Sequence, residues 1–332
     1  MFIVDTHLDL AYNAVRGRQV MRPAIEQIPD SEGVPTVGLP DLKNGGVGLI
    51  CATIFCQPNL PGQPGYTNAE EASIVGKKQL AWYREQANEG KMRLLRSRAD
   101  VPSSDGNGGP QDAILLLEGA DPLRTPDDLP CWFNAGLRIV GLAWKRTRYA
   151  GGTGAPGPIT PEGVALVHAM DKFGIIHDVS HLAEESFWQL LEISPGPIIA
   201  SHSNCRSMVP TDRQLSDEMA KAIFKRSGVI GINFFDKFLL APKEQGRRRA
   251  RLVDVVRHVR HFCDLAGDAA HVGLGTDMDG GLGREQIPLE IVTSADLPRV
   301  AEALSDAGFS DEDVRRIVGK NWLAFFRQNL PA

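Results

Sequence analysis

The sequence predicts an α/β fold, a (β/α)8 TIM-type barrel with loop insertions. Three observations carry that prediction. Eight short apolar runs alternate with segments of helical periodicity along the 332 residues. No two runs are joined by a hairpin signal, so the strands must be parallel and linked by crossovers. The polar residues suited to chemistry follow the C-terminal ends of the first, third, fifth, sixth and eighth runs, and only barrel closure brings a first and an eighth strand together on one rim. An open doubly wound sheet is the rival, but neither GxGxxG nor GxxxxGK[ST] occurs to support it. No shift of composition marks a boundary, so residues 1–332 read as a single domain.

Taken in order, Phe2-Ile3-Val4 is a short strand that runs into Asp5-Thr6-His7-Leu8-Asp9. Side chains alternate along an extended chain, so His7 and Asp9 share a face. Residues 17–44, rich in Pro, Gly and charge, read as a loop. Val47 to Phe55 is apolar almost throughout, as a strand buried on both faces should be. Asn68 caps a helix that runs to about Glu89, and a polar loop containing Ser103 to Gly109 follows. Ala113 to Leu117 is the third strand, closed by Glu118. Burying a carboxylate there is costly unless it is paired or bound to metal.

Leu137 to Trp144 is the fourth strand. It opens into Lys145-Arg146-Thr147-Arg148-Tyr149 and a Gly/Pro-rich loop, Gly151 to Pro158, which reads either as a flexible connector or as a lid bearing basic and aromatic groups over a pocket. A helix over Pro161–Phe173 leads to the centre of the chain, where two apolar runs each end in Ser-His, at Ser180-His181 and Ser201-His202. Leu182 to Ile193 between them has helical spacing. Neighbouring parallel strands lie about 5 Å apart, so the two imidazoles can converge. Helices over 215–226 and 250–265 flank the seventh strand, Gly228 to Phe235. The eighth, His271 to Thr276, ends in Asp277. Helices near Leu297–Ala307 and Asp311–Gln328 close the chain, each preceded by a capping residue.

Composition excludes some classes. The formal charge of −5 gives no reason to expect nucleic acid or an anionic membrane as partner, and the four arginines within Gln245–Arg251 read as a solvated face. His258 and His261 lie three apart without a third ligand and read as packing or surface residues. Five cysteines form no CxxC pair, which suits a reduced protein. No basic segment precedes an apolar one at the start, and no run nears the ~20 apolar residues of a membrane span. A cytoplasmic location is expected.

Three histidines and two carboxylates suffice for two metal ions about 3.5–4 Å apart if one carboxylate bridges them. Glu118 is the natural bridge, with His7 and Asp9 on one ion and His181 and His202 on the other. Imidazole with carboxylate favours zinc. Asp277 would take the proton of a metal-bridging water, leaving a hydroxide nucleophile, and pass it to the leaving group. The reaction class is metal-assisted hydrolysis of an amide or ester.

The motifs DTHLDL, LLLEG, HDVSH, ASHSNCRSMVPTDRQLSD, GINFF and GLGTDMDG, with DEDVRRIVGKNWLAFF near the end, together resemble the membrane (renal-type) dipeptidases, peptidase family M19 of the amidohydrolase superfamily. The resemblance implies a binuclear zinc barrel that hydrolyses dipeptides, often with a D-residue at the C-terminal position. It implies His7 and Asp9 as ligands of one zinc, His181 and His202 of the other, and Glu118 as the bridge. Asp277 matches the acid/base, which also contacts the substrate amino group, and Arg213 matches the arginine for the substrate carboxylate.

One departure stands out. The family has a histidine after the fourth strand, where this chain has Leu142-Ala143-Trp144. The expectation is that Arg148 or Arg146 supplies the missing oxyanion contact and that Tyr149 lines the pocket. A related hydrolase acting on N-acyl amino acids or lactones is the second reading, and a non-catalytic metal-containing binding protein the third, which an intact Asp277 disfavours. The oligomeric state, a homodimer included, is left open by the sequence.

Overall fold

A computed structural model describes residues 1–103 and 109–332. Nine strands form one parallel sheet: β1 (Ile3–Leu8), β2 (Val47–Phe55), β3 (Met92–Leu94), β4 (Gln111–Glu118), β5 (Leu137–Gly141), β6 (Ile176–Asp178), β7 (Ile198–Ile199), β8 (Ile230–Ile232) and β9 (Val272–Leu274). The order is β7-β6-β5-β4-β2-β1-β9-β8, with β3 paired to β4 off that path. A parallel bridge from Ala200 to Ile230 joins the two ends, and the Gly231 amide donates to Ala200 O at 2.8 Å. The eight strands of the path thus close into the expected barrel.

Alternation of side chains divides the core. Val4, Leu49, Cys51, Ile114, Leu116, Ile139, Ile176 and Ile199 form one cluster with Trp322, Phe325 and Phe326 of the last helix. Their strand partners of opposite parity, such as Ile3, Ile50 and Leu115, belong to the larger cluster shared with the surrounding helices. The first group fills the barrel and the terminal helix plugs its lower end, where Trp322 Nε1 donates to Leu274 O at 3.1 Å.

Helices begin where the capping residues predict. Asn68, Thr160 and Ser216 each accept an amide of the first turn, for helices Ala69–Asn88, Pro161–Phe173 and Asp217–Lys225. The segment read as a loop, 17–44, is partly ordered into a 3-10 turn, Ala24–Glu26, and a helix, Leu39–Asn44. Its Thr36 and Val37 amides clasp the Asp279 carboxylate, at 2.9 Å each for the shortest contacts, and periodicity does not reveal a pairing so distant in the chain. Strand β3 is also additional to the sequence reading. The closing helix, expected to be continuous, contains a π turn, Arg316–Lys320. There Gly319 passes so close to Phe2 O that a Cβ would collide. The polar loop expected over Ser103–Gly109 lies largely outside the described residues. Among those described, no helix is long and apolar enough to cross a membrane.

Candidate active site

Five side chains converge at the C-terminal rim. His7 lies one residue before the end of β1 and Asp9 just past it, Glu118 ends β4, His181 follows β6 and His202 follows β7. Their polar atoms face Glu118 from two sides. His7 Nε2 is 3.5 Å from Glu118 Oε2 and 3.7 Å from Asp9 Oδ2. His181 Nε2 and His202 Nε2 lie 3.1 and 3.3 Å from Glu118 Oε1. Three groups of potential ligands occur among the described residues, each with its ligand atoms within 4.8 Å of one another. They are His7–Asp9–Glu118, Glu118–His181–His202 and His7–His202–Asp277. Glu118 therefore stands in two groups and offers a different oxygen to each.

The outer nitrogens are all anchored. His181 Nδ1 is 3.0 Å from Thr153 Oγ1, His202 Nδ1 is 2.7 Å from Ser201 Oγ, and His7 Nδ1 is 3.2 Å from the same hydroxyl. Each imidazole thus turns Nε2 inward. Backbone strain collects at the same rim: His181, Asp277 and Asp279 have φ of 65°, 60° and 63°, a left-handed conformation costing about 1–2 kcal/mol for a residue with a Cβ.

Charge at this point is unbalanced. Asp9, Glu118 and Asp277 are buried within one cluster of ligand atoms. Burial pushes Asp9 well above the ordinary carboxylate range, against the pull of His7. Burial also opposes charge on Glu118, yet His7 and the contacts of the three imidazoles hold it well below its usual value. His7 is raised to about 10, because the charges of Glu118 and Asp9 outweigh its own burial. His181 falls to about 4, chiefly by burial. A cluster rich in carboxylate, with buried His7 Nε2 and Asp9 Oδ1 lacking a hydrogen-bond partner among the described residues, calls for cations. The donor set fits two divalent ions.

The ligands open on a cavity of about 750 Å³, whose walls include Tyr12, Glu32, Trp144, Lys145, Arg213 and Asp277. Asp277 Oδ2 accepts from Asn233 Nδ2 at 2.9 Å. Burial pushes its carboxyl up to about 7; His7 works against this and Glu118 with it. Arg213 is buried, with Nη2 on His202 O at 2.6 Å and Nη1 on Ser203 Oγ at 3.0 Å, and its Nε has no hydrogen-bond partner among the described residues.

The loop after β5 differs from expectation. Arg148 and Tyr149 do not line the cavity. The Arg148 guanidinium turns outward onto the carbonyls of Asp121, Leu123 and Arg124, and the buried Tyr149 hydroxyl donates to Leu123 O. Arg146 donates to Pro156 O within its own loop. These carbonyls end their own segments without strand partners, and a guanidinium satisfies several at once. Lys145 and Trp144 face the cavity instead, with Trp144 edge-on to Phe55 at 5.1 Å and 6.0 Å from the His181 ring. The sequence does not single out Asn233 or Asp178, nor the role of Ser201 within the Ser201-His202 pair. The one signal it offers is the place of Asp178 just before Ser180-His181 and of Ser201 just before His202.

Residues 1–330 match the family model of membrane dipeptidase, peptidase family M19. The chain belongs to that family. Its enzymes are metallo-dipeptidases, and the metal-ligand clusters described above are consistent with that membership. A solved structure of dipeptidase AC, a metallopeptidase of family M19, superposes with a TM-score of 0.85 at 28% identity, covering 100% of this chain and 99% of that one. A metallopeptidase from Rhodobacter sphaeroides, liganded with a phosphinate mimic of L-Ala-D-Ala, gives 0.84 at 27% identity over 99% of both chains. An uncharacterized protein in the pqqA 5′ region of Klebsiella pneumoniae is 31% identical over 281 residues, 80% of this chain and 97% of that protein. Three further curated relatives, two of them described as dipeptidases, are matched over only about half of their own length.

Proposed function

We propose that the protein hydrolyses the peptide bond of free dipeptides, L-Xaa-D-Xaa among them, with two zinc ions sharing Glu118. One observation carries this reading: the Glu118 carboxylate offers Oε2 to the His7–Asp9 side and Oε1 to the His181–His202 side. Mixed imidazole and carboxylate donors suit zinc. A pair of such ions would supply a Lewis acid for the scissile carbonyl and a water acidified toward neutrality. Asp277, set across the cavity and steadied by Asn233, is placed to accept the proton of the attacking water and deliver it to the leaving amine. Arg213, fixed by His202 O and Ser203, presents its fork to the substrate carboxylate. The R. sphaeroides relative, bound to an L-Ala-D-Ala mimic, supports a D-residue at that end.

Trp144 favours a second reading. With Phe55 beside it, it gives the wall next to His181 an apolar character that would accept an acyl group in place of an amino-terminal residue. A panel of L-Xaa-L-Xaa and L-Xaa-D-Xaa dipeptides, run beside N-acyl amino acids and lactones, separates the two. The dipeptidase reading predicts the highest kcat/KM on a free dipeptide. It fails if the N-acyl amino acids are turned over faster.

A further inference from the structure

A histidine binds metal through the nitrogen that carries a lone pair, and the partner of the other nitrogen decides which one that is. Ser201 is that partner for two ligands at once, 3.2 Å from His7 Nδ1 and 2.7 Å from His202 Nδ1. A hydroxyl has one proton and two lone pairs. The Ser201 proton is already placed, on Asp178 Oδ2 at 2.6 Å. Ser180 Oγ, at 3.4 Å, is more distant and already accepts from the His202 amide and the Ser203 hydroxyl. Both lone pairs of Ser201 are therefore left for the imidazoles, so both must donate from Nδ1. Asp178 is itself locked, because its Oδ1 accepts the amides of Ser180 at 3.0 Å and Ser201 at 2.9 Å. His181 Nδ1 faces the Thr153 hydroxyl instead and stands outside this relay.

We propose that Asp178, by claiming the Ser201 proton, keeps Nδ1 of His7 and of His202 protonated and so reserves Nε2 of each for one of the two ions. Asp178 and Ser201 are positioning residues that act through the histidines and touch no substrate. The inference rests on the two-ion reading above.

Asp178→Asn is the discriminating change. Its amide oxygen must stay on the two backbone N–H groups, which turns the NH2 toward Ser201 Oγ. The hydroxyl proton is then displaced toward the nearer imidazole, His202, which must take its own proton at Nε2. Zinc titration of the metal-stripped chain against a chromophoric chelator should show one ion weakened by about 10–100-fold in Asp178→Asn and both weakened in Ser201→Ala. Nitrogen-15 NMR of labelled histidines in the stripped protein should place the His202 proton on Nδ1 in the wild type and on Nε2 in Asp178→Asn. Unchanged zinc affinity in Asp178→Asn, or an Nε2 proton on His202 in the wild type, overturns the proposal. Should that variant not fold, the wild-type spectrum decides alone. A wild type that takes up a single ion defeats the two-ion reading, while the spectrum still tests the tautomer.

Discussion

The Nε2 atoms of His181 and His202 stand 3.1 Å apart. Both rings have Nδ1 occupied by a hydroxyl, and burial holds both imidazoles below their ordinary pKa. With Nδ1 of each ring taken up by a hydroxyl, the two Nε2 atoms face each other and Glu118 Oε1, and a cation set among them would satisfy all three atoms at once. This pair is therefore the part of the site whose geometry speaks most directly for metal.

Asp277→Asn should retain its metal and lose kcat by roughly 10²–10⁴-fold, the usual effect of removing an acid/base group. Near-normal turnover with full metal content would place the proton shuttle elsewhere. Gly280→Ala should resemble it, since a Cβ there would run into Asp277 Oδ1.

Arg213→Ala should raise KM for free dipeptides and matter little for C-terminally amidated ones, because only the former carry a carboxylate for the fork. Equal effects on both classes would assign Arg213 to holding His202 O rather than to substrate.

Arg148→Ala should lower stability by about 1–3 kcal/mol, the cost of stranding buried polar partners, and leave kcat nearly unchanged. Steady-state kinetics beside thermal unfolding checks this. A large drop in kcat with an unchanged Tm would restore Arg148 to the reaction.

Stability should fall on acidification through His258. It is fully buried, accepts the Cys205 amide at Nδ1 and donates from Nε2 to Leu239 O, and burial depresses it to about 4 from 6.5. The folded value lies below the unfolded one, so the contribution is complete above 6.5 and is lost as pH falls toward 4, a span worth about 3 kcal/mol. Urea unfolding at about pH 7 and about pH 5 should show a larger loss for the wild type than for His258→Gln. Identical losses would remove His258 as the cause.

The candidate metal ligands are legible in the sequence because each stands at or just past the end of an apolar run. A histidine or carboxylate in that place is visible against Leu115-Leu116-Leu117 or Ile198-Ile199-Ala200, and barrel closure follows from His7 and Asp277 needing one rim. What supports the ligands was not legible. Asp178 reaches Ser201 from β6 to the end of its neighbour β7, and Thr36 reaches Asp279 across most of the chain; neither pairing leaves a local period. Arg148 was misplaced for a related reason. Loop composition says that a cation is near the rim, whereas unpaired carbonyls at 121–124, invisible in the sequence, decide where it turns.

The central claim is that Glu118 joins two metal ions, and metal content per chain tests it most directly. Fully active enzyme should contain about two equivalents, and Glu118→Gln should lose both together, because a neutral amide bridges two cations poorly. One ion per chain in fully active enzyme, or a Glu118→Gln variant that keeps one ion at full affinity, would contradict the account.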